Sequence, residues 1–188
     1  ALVIHNDSTA ASTINVTGAG AGNTLTNTSG TFLFTQNTGA AASSAHSTTL
    51  GGFDGIATAG SEYNFFVVNP SSAANTATTT AQIDSPLSSN ADIVKSGRGT
   101  LIFTAANTAG GGANRTVINE GTLEISALNQ IGGTTGDLVF AGGELRLGSG
   151  FVDDFSTRTV AILNGGATID TNGNSIVVGA IGGAGSGD

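Results

Sequence analysis

Asp153 and Asp154 are the one adjacent acidic pair in the sequence, with Arg158 four residues on from Asp154, Arg146 upstream and Asp170 beyond. Carboxylates beside an arginine could hold calcium and place a base for a polysaccharide lyase. A calcium site, however, takes about 6–8 oxygen ligands, and two neighbouring carboxylates supply too few. The pair is therefore expected to be a solvated arc between strands. His5 and His46 are the only histidines and lie far apart in polar surroundings. With no G-x-S-x-G elbow to present a nucleophile, they are expected to be surface histidines rather than bases. Glu120, Glu124 and Glu144 could form a glycosidase carboxylate pair only if the fold brought two of them together across a substrate. Gly182-Gly183-Ala184-Gly185-Ser186-Gly187-Asp188 has the glycines of a calcium nonapeptide, but its acidic residue falls one place late and the motif occurs once. No Walker or dinucleotide fingerprint is present, because the glycine clusters precede strands rather than opening helices.

What must position these residues is a repeat. Gly99-Thr100-Leu101-Ile102-Phe103, Gly121-Thr122-Leu123-Glu124-Ile125 and Gly143-Glu144-Leu145-Arg146-Leu147 follow one another at a spacing of 22 residues. A fourth copy is expected at Gly165-Gly166-Ala167-Thr168-Ile169. The apolar columns are then Leu101, Leu123, Leu145, Ala167 and Phe103, Ile125, Leu147, Ile169, with Ile102, Glu124, Arg146 and Thr168 facing out. This period of two predicts strands with one buried face. A second strand precedes each glycine, and Ile118, Phe140 and Ile162 form its buried column. Two short strands cannot bury their apolar face alone, whereas stacked copies can. The fold class predicted is all-β, a right-handed parallel β-helix (β-solenoid) of about eight or nine rungs, roughly 40 Å long at ~4.8 Å per rung. In this register Arg98 lies beside Glu120 and Glu124 beside Arg146, so opposite charges stack on neighbouring rungs.

Residues 91–188 carry the regular repeats and residues 1–90 longer, less regular rungs, with a Gly/Ala/Ser-rich arc at 36–62 and corners at Pro70 and Pro86. Both are expected to form one continuous solenoid, a fragment of a longer chain. Thr76, Thr78, Thr79 and Thr80 invite an ice-binding reading, but the outward column Thr100, Thr122, Glu144, Gly166 interrupts the ladder that ice would need. Phe65, Phe66, Phe151 and Phe155 lie near arcs, where exposed rings could stack on sugars and buried ones would seal corners.

Of 188 residues, 30 are Gly, 5 are Lys or Arg and 13 are Asp or Glu, for a net charge of −8. Scarce Leu, Glu, Lys and Arg argue against long helices. The acidic balance argues against nucleic acid as a partner. No Cys means no disulfide framework and no thiolate zinc site. No apolar run approaches the length of a membrane helix, so this segment is not expected to insert. Lys95 is the only lysine, and a surface built from Thr, Ser and Asn suits an exported bacterial β-protein.

The segment Ile93-Val94-Lys95-Ser96-Gly97-Arg98-Gly99-Thr100-Leu101-Ile102-Phe103-Thr104, continuing through Ala105-Ala106-Asn107-Thr108 to Asn119-Glu120-Gly121-Thr122-Leu123, resembles the autotransporter passenger-associated strand repeat. Ala127-Leu128-Asn129-Gln130-Ile131-Gly132 with Leu138–Leu147 is similar to its next coil. The likeness covers about residues 92–171, with 179–188 as the lead-in to a further copy. Upstream of Ser85 it is compositional. The resemblance implies a β-helical passenger displayed at, or released from, a bacterial outer membrane. It carries no catalytic residues, cofactor or metal ligands over to this chain. The function expected is that of a stalk or adhesin, not an enzyme. Its partners would be surface carbohydrate or a receptor on a neighbouring cell, with end-to-end self-association through open strand edges. Alternatives are a unit of an extracellular fibre and a carbohydrate-active β-helix enzyme.

Overall fold

The structure is a computed structural model describing residues 1–8, 10–19, 21–36, 45–69, 78–133 and 135–183 of the chain. An eight-stranded sheet holds β1 (Leu2–Asn6), β4 (Thr31–Gln36), β7 (Glu62–Val67), β9 (Asp92–Ser96), β11 (Arg115–Ile118), β13 (Asp137–Phe140), β15 (Val160–Ile162) and β17 (Ile181–Gly183), in that spatial order. A seven-stranded sheet holds β2 (Ser12–Thr17), β5 (His46–Gly51), β8 (Thr79–Ile83), β10 (Thr100–Phe103), β12 (Thr122–Ile125), β14 (Glu144–Leu147) and β16 (Thr168–Asp170). A third sheet pairs β3 (Thr24–Thr26) with β6 (Gly55–Ala57). The arc expected over 36–62 thus contains β5 and β6, while residues 37–44 lie outside the described ones, as does Pro70. A single 3₁₀ turn, Leu128–Ile131, is the helical element among the described residues.

Every pairing in these sheets is parallel, and from β7 onward the chain alternates between the two long sheets. This is the arrangement of a β-solenoid, in which each strand pairs with its counterpart on the next coil. Thr100 faces Thr122 and Thr122 faces Glu144; in the other long sheet Thr116 faces Leu138 and Leu138 faces Val160. Upstream the offsets lengthen: Phe32 faces Phe65, and Ser12 faces His46.

The core lies between the two long sheets. Leu101, Leu123, Leu145, Phe103, Ile125, Leu147, Ile118 and Phe140 are all buried, as their columns require. Aromatic rings continue the columns upstream, with Phe32 stacked on Phe65 at 5.1 Å and Phe65 meeting Phe103 edge-on at 5.6 Å. Such ring pairs add to the gain from apolar burial.

Two expectations need correction. Leu145 pairs with Ile169 and Arg146 with Asp170, so Ala167 and Thr168 do not occupy the predicted slots. The turn Leu163–Gly166, closed by the Gly166 N–H on the Leu163 carbonyl, takes up two more residues than the corners before it. A slip of two leaves inward and outward positions unchanged, so alternation alone could not reveal it. Ile162 is half-buried rather than buried.

The corner glycines are constrained by the neighbouring coil. Gly97 has φ +77°, and a Cβ there would meet the Val67 carbonyl oxygen at 2.5 Å. At Gly121, with φ +69°, a Cβ would collide with the carbonyl oxygen of Gly97. The coils approach so closely here that only glycine fits.

Candidate functional site: the outward faces and their corners

The residues with the strongest chemical credentials prove to be structural. Arg158 is almost fully buried. Its Nε donates to the Gly133 carbonyl at 2.9 Å, and Nη2 donates to the carbonyls of Ile131 and of Gly133, the latter at 2.7 Å. Burial lowers its pKa to about 10, and Asp137 opposes that shift. Tied to the carbonyls after the 3₁₀ turn, it is not placed to act as a base beside the acidic pair. Asp153 Oδ2 accepts the Leu128 N–H at 2.6 Å, capping the 3₁₀ turn from the next coil. Asp154 Oδ1 accepts the Ser156 N–H at 2.6 Å, an Asx turn within its own loop. Phe151 and Phe155 are buried and stacked at 5.5 Å, sealing the same corner.

His5 is exposed, its Nδ1 2.7 Å from Thr35 Oγ1. His46, expected at the surface, is buried: it opens β5 on the inward phase shared with Thr48 and Leu50. Its Nδ1 lies 3.3 Å from Ser12 Oγ, while Nε2 has no partner among the described residues.

Lys95 likewise points inward and is fully buried. Its ammonium donates to three carbonyls: Ser96 at 3.0 Å, Gly97 at 2.5 Å and Glu120 at 3.0 Å. Desolvation lowers its pKa to about 8, against the pull of Glu120. The sole lysine is therefore a staple between two successive corners, not part of the surface chemistry.

The glutamates lie on outer surfaces. Glu120 pairs with Arg98 at 3.1 Å. Arg146 lies 4.0 Å from Glu124, as the register predicts, but comes closer to Glu144, at 3.1 Å, and to Asp170, at 3.0 Å. These contacts, led by the Asp170 hydrogen bond, raise the arginine's pKa. Asp170 is held below the usual carboxylate range, first by the Asn172 N–H and then by Arg146. Arg115 pairs with Asp92 at 3.1 Å, a contact that the 22-residue spacing hid because these residues are 23 apart. Among the described residues no three His, Asp or Glu side chains gather to hold a metal ion. Residues 184–188 of the nonapeptide-like tail lie outside the described ones.

Two outward faces remain for recognition. On the seven-stranded sheet one column runs Thr13, Ser47, Thr80, Thr100, Thr122, Glu144, Thr168. The ladder of hydroxyls is longer than the downstream repeats indicate, and it is interrupted at Glu144 rather than ended there. Thr76 lies outside the described residues. The neighbouring column runs Asn15, Thr49, Gln82, Ile102, Glu124, Arg146, Asp170, amides and hydroxyls giving way to charge. On the eight-stranded sheet the outward positions are more apolar. Val3, Leu33 and Phe66 align, and Val94, Val117, Val139 and Ala161 form the adjoining column. The sequence marks Ile102 as the outward apolar residue of its column and places Phe65 and Phe66 near an arc; both lie in β7, Phe65 facing in and Phe66 facing out. The signal for the rest was an apolar residue between two inward positions in β9, β11 and β13. No helix among the described residues is long and apolar enough to cross a membrane.

No protein-family model matches the chain, and no solved structure matches it. Over 95 residues the chain is 35% identical to the adhesin BmaC autotransporter of Brucella suis biovar 1 (strain 1330). That stretch is 50% of this chain and 3% of that far longer protein. Over half its length, then, the chain is similar to an autotransporter adhesin, and its own architecture is all-β with long parallel sheets.

Proposed function

We propose that this chain is a segment of a right-handed β-helical passenger, with coils of about 22 residues in its regular half, that serves as a stalk and adhesive surface outside a bacterial cell. The observation that carries the reading is the similarity to the BmaC adhesin. The fold supports it: stacked coils make a stiff rod whose two outer faces present hydroxyl, amide and apolar ladders over its length. Residues 1–90 and 91–188 belong to one solenoid in this reading, the first with long coils and the second with short ones. The partner is a surface carbohydrate or a receptor on another cell, and affinity comes from many coils displayed together. The role is binding rather than catalysis. In support, the acidic pair and its nearby arginine, the best candidates for a base among the described residues, are engaged in corners.

A polysaccharide panel assayed for turnover and for binding, with and without calcium, tests this. Binding without turnover is expected. Calcium-dependent turnover that is lost in Asp154→Asn would contradict it and favour a lyase.

A further inference from the structure

From the groove on the outer face of the eight-stranded sheet, between β7 and the corner after β9, we infer a binding site for a neutral pyranose ring of a surface glycan. This rests on the adhesin reading and names its ligand class. Phe66 and Val68 are each 39% exposed and form the apolar wall. Phe66 lies beside Ser96 across the strand pair, and Asn69, Arg98 and Glu120 complete the rim.

Rim and wall suit a sugar in three respects. An exposed aromatic ring offers a flat face to the C–H side of a pyranose, where hydroxyl-rich edges would gain nothing. The Arg98–Glu120 pair is joined through Nε and Oε1 at 3.1 Å, with side chains 75% and 50% exposed. Among the described residues its terminal guanidinium nitrogens and second carboxylate oxygen remain as donors and an acceptor, the complement of adjacent hydroxyls, each of which both donates and accepts. The pair is also charge-balanced, so neither an anionic nor a cationic ligand is favoured.

The rim is held in place before any ligand arrives. Asn69 donates to the Arg98 carbonyl at 3.4 Å and accepts the Thr79 N–H at 2.8 Å. Asn119 donates to Ser96 Oγ at 3.0 Å. Beneath them Lys95 ties the carbonyls of Ser96, Gly97 and Glu120 together. A pre-set rim loses little entropy on binding, so a single shallow site gains affinity chiefly by being displayed in many copies.

Saturation-transfer NMR of the whole chain with methyl glucoside, methyl galactoside, methyl mannoside, N-acetylglucosamine and sialyllactose tests the site. At least one neutral pyranoside should bind. Phe66→Ala should weaken it at least tenfold and Arg98→Ala should also weaken it, while Phe66→Trp retains it and Val152→Ala, at an exposed position in the arc after β14, leaves it unchanged. Unaltered melting midpoints should accompany all four variants. Binding that survives Phe66→Ala, sialyllactose alone binding, or no pyranoside binding would each overturn the inference. Adhesion of chain-coated beads to cells, measured in parallel, separates the two failures: adhesion that Phe66→Ala leaves intact sinks the groove but spares the adhesin, and absence of adhesion sinks both.

Discussion

Lys95 shows how a charged letter in a motif can be a core residue. Its ammonium is buried against three carbonyls, and its pKa falls from 10.5 to about 8 because desolvation outweighs the attraction of Glu120. An unfolded chain keeps the lysine protonated up to its ordinary value, so between about pH 8 and 10.5 the unfolded state binds more protons than the folded state. The lysine's contribution to folding stability therefore rises with pH through this window, is complete above it, and is lost as pH falls through about 8. Urea unfolding of the wild type and of Lys95→Met across pH 7 to 10.5 should show the wild type gaining stability relative to the variant; parallel curves would contradict the assignment. His46, expected at the surface, is buried because the burial of a polar side chain depends on partners from other coils: the Ser12 hydroxyl lies on the preceding strand of its sheet, just as the Glu120 carbonyl, unlike those of Ser96 and Gly97, reaches Lys95 from the next corner.

At the scale of the strand, the inward columns were legible because glycine corners at a 22-residue spacing phase them. Leu123 lies between Leu101 and Leu145 in consecutive parallel strands, all three fully buried. Leu145→Ala should cost about 2–5 kcal/mol in chemical denaturation through the cavity it leaves. A cost below ~1 kcal/mol would place this column at the surface. The charge ladder was legible only in part. Glu124 beside Arg146 follows from the repeat, whereas Asp170 enters because the last corner is two residues longer, which alternation cannot report. Glu124→Lys should therefore destabilise by less than about 1 kcal/mol, and by less still in high salt, because the pair is half-exposed and 4.0 Å apart and the arginine keeps two closer carboxylates. Asp170→Asn should cost more than Glu124→Gln in the same measurement. The reverse order would restore the 22-residue register at Ala167.

At the scale of the molecule, two parallel sheets share one apolar interior while their outer faces differ, one rich in hydroxyls and charge, the other carrying an apolar stripe and the Phe66 groove. Shape and chemistry together favour repeated weak contacts over a single enclosed site, and such a rod gains avidity with every copy displayed. The upstream half of this surface was the least legible part. Its strands pair at offsets of 30 or more residues, as Leu2 with Phe32 and Ser12 with His46, so no fixed period marks which outward residues align. Adhesion by this surface is the function we propose. Its most direct test is the retention under flow of beads carrying one, two or four tandem copies of the chain, on epithelial cells and on bare plastic. Retention on cells that rises steeply with copy number and exceeds that on plastic is the result predicted. Retention equal to that of uncoated beads at every copy number would contradict it.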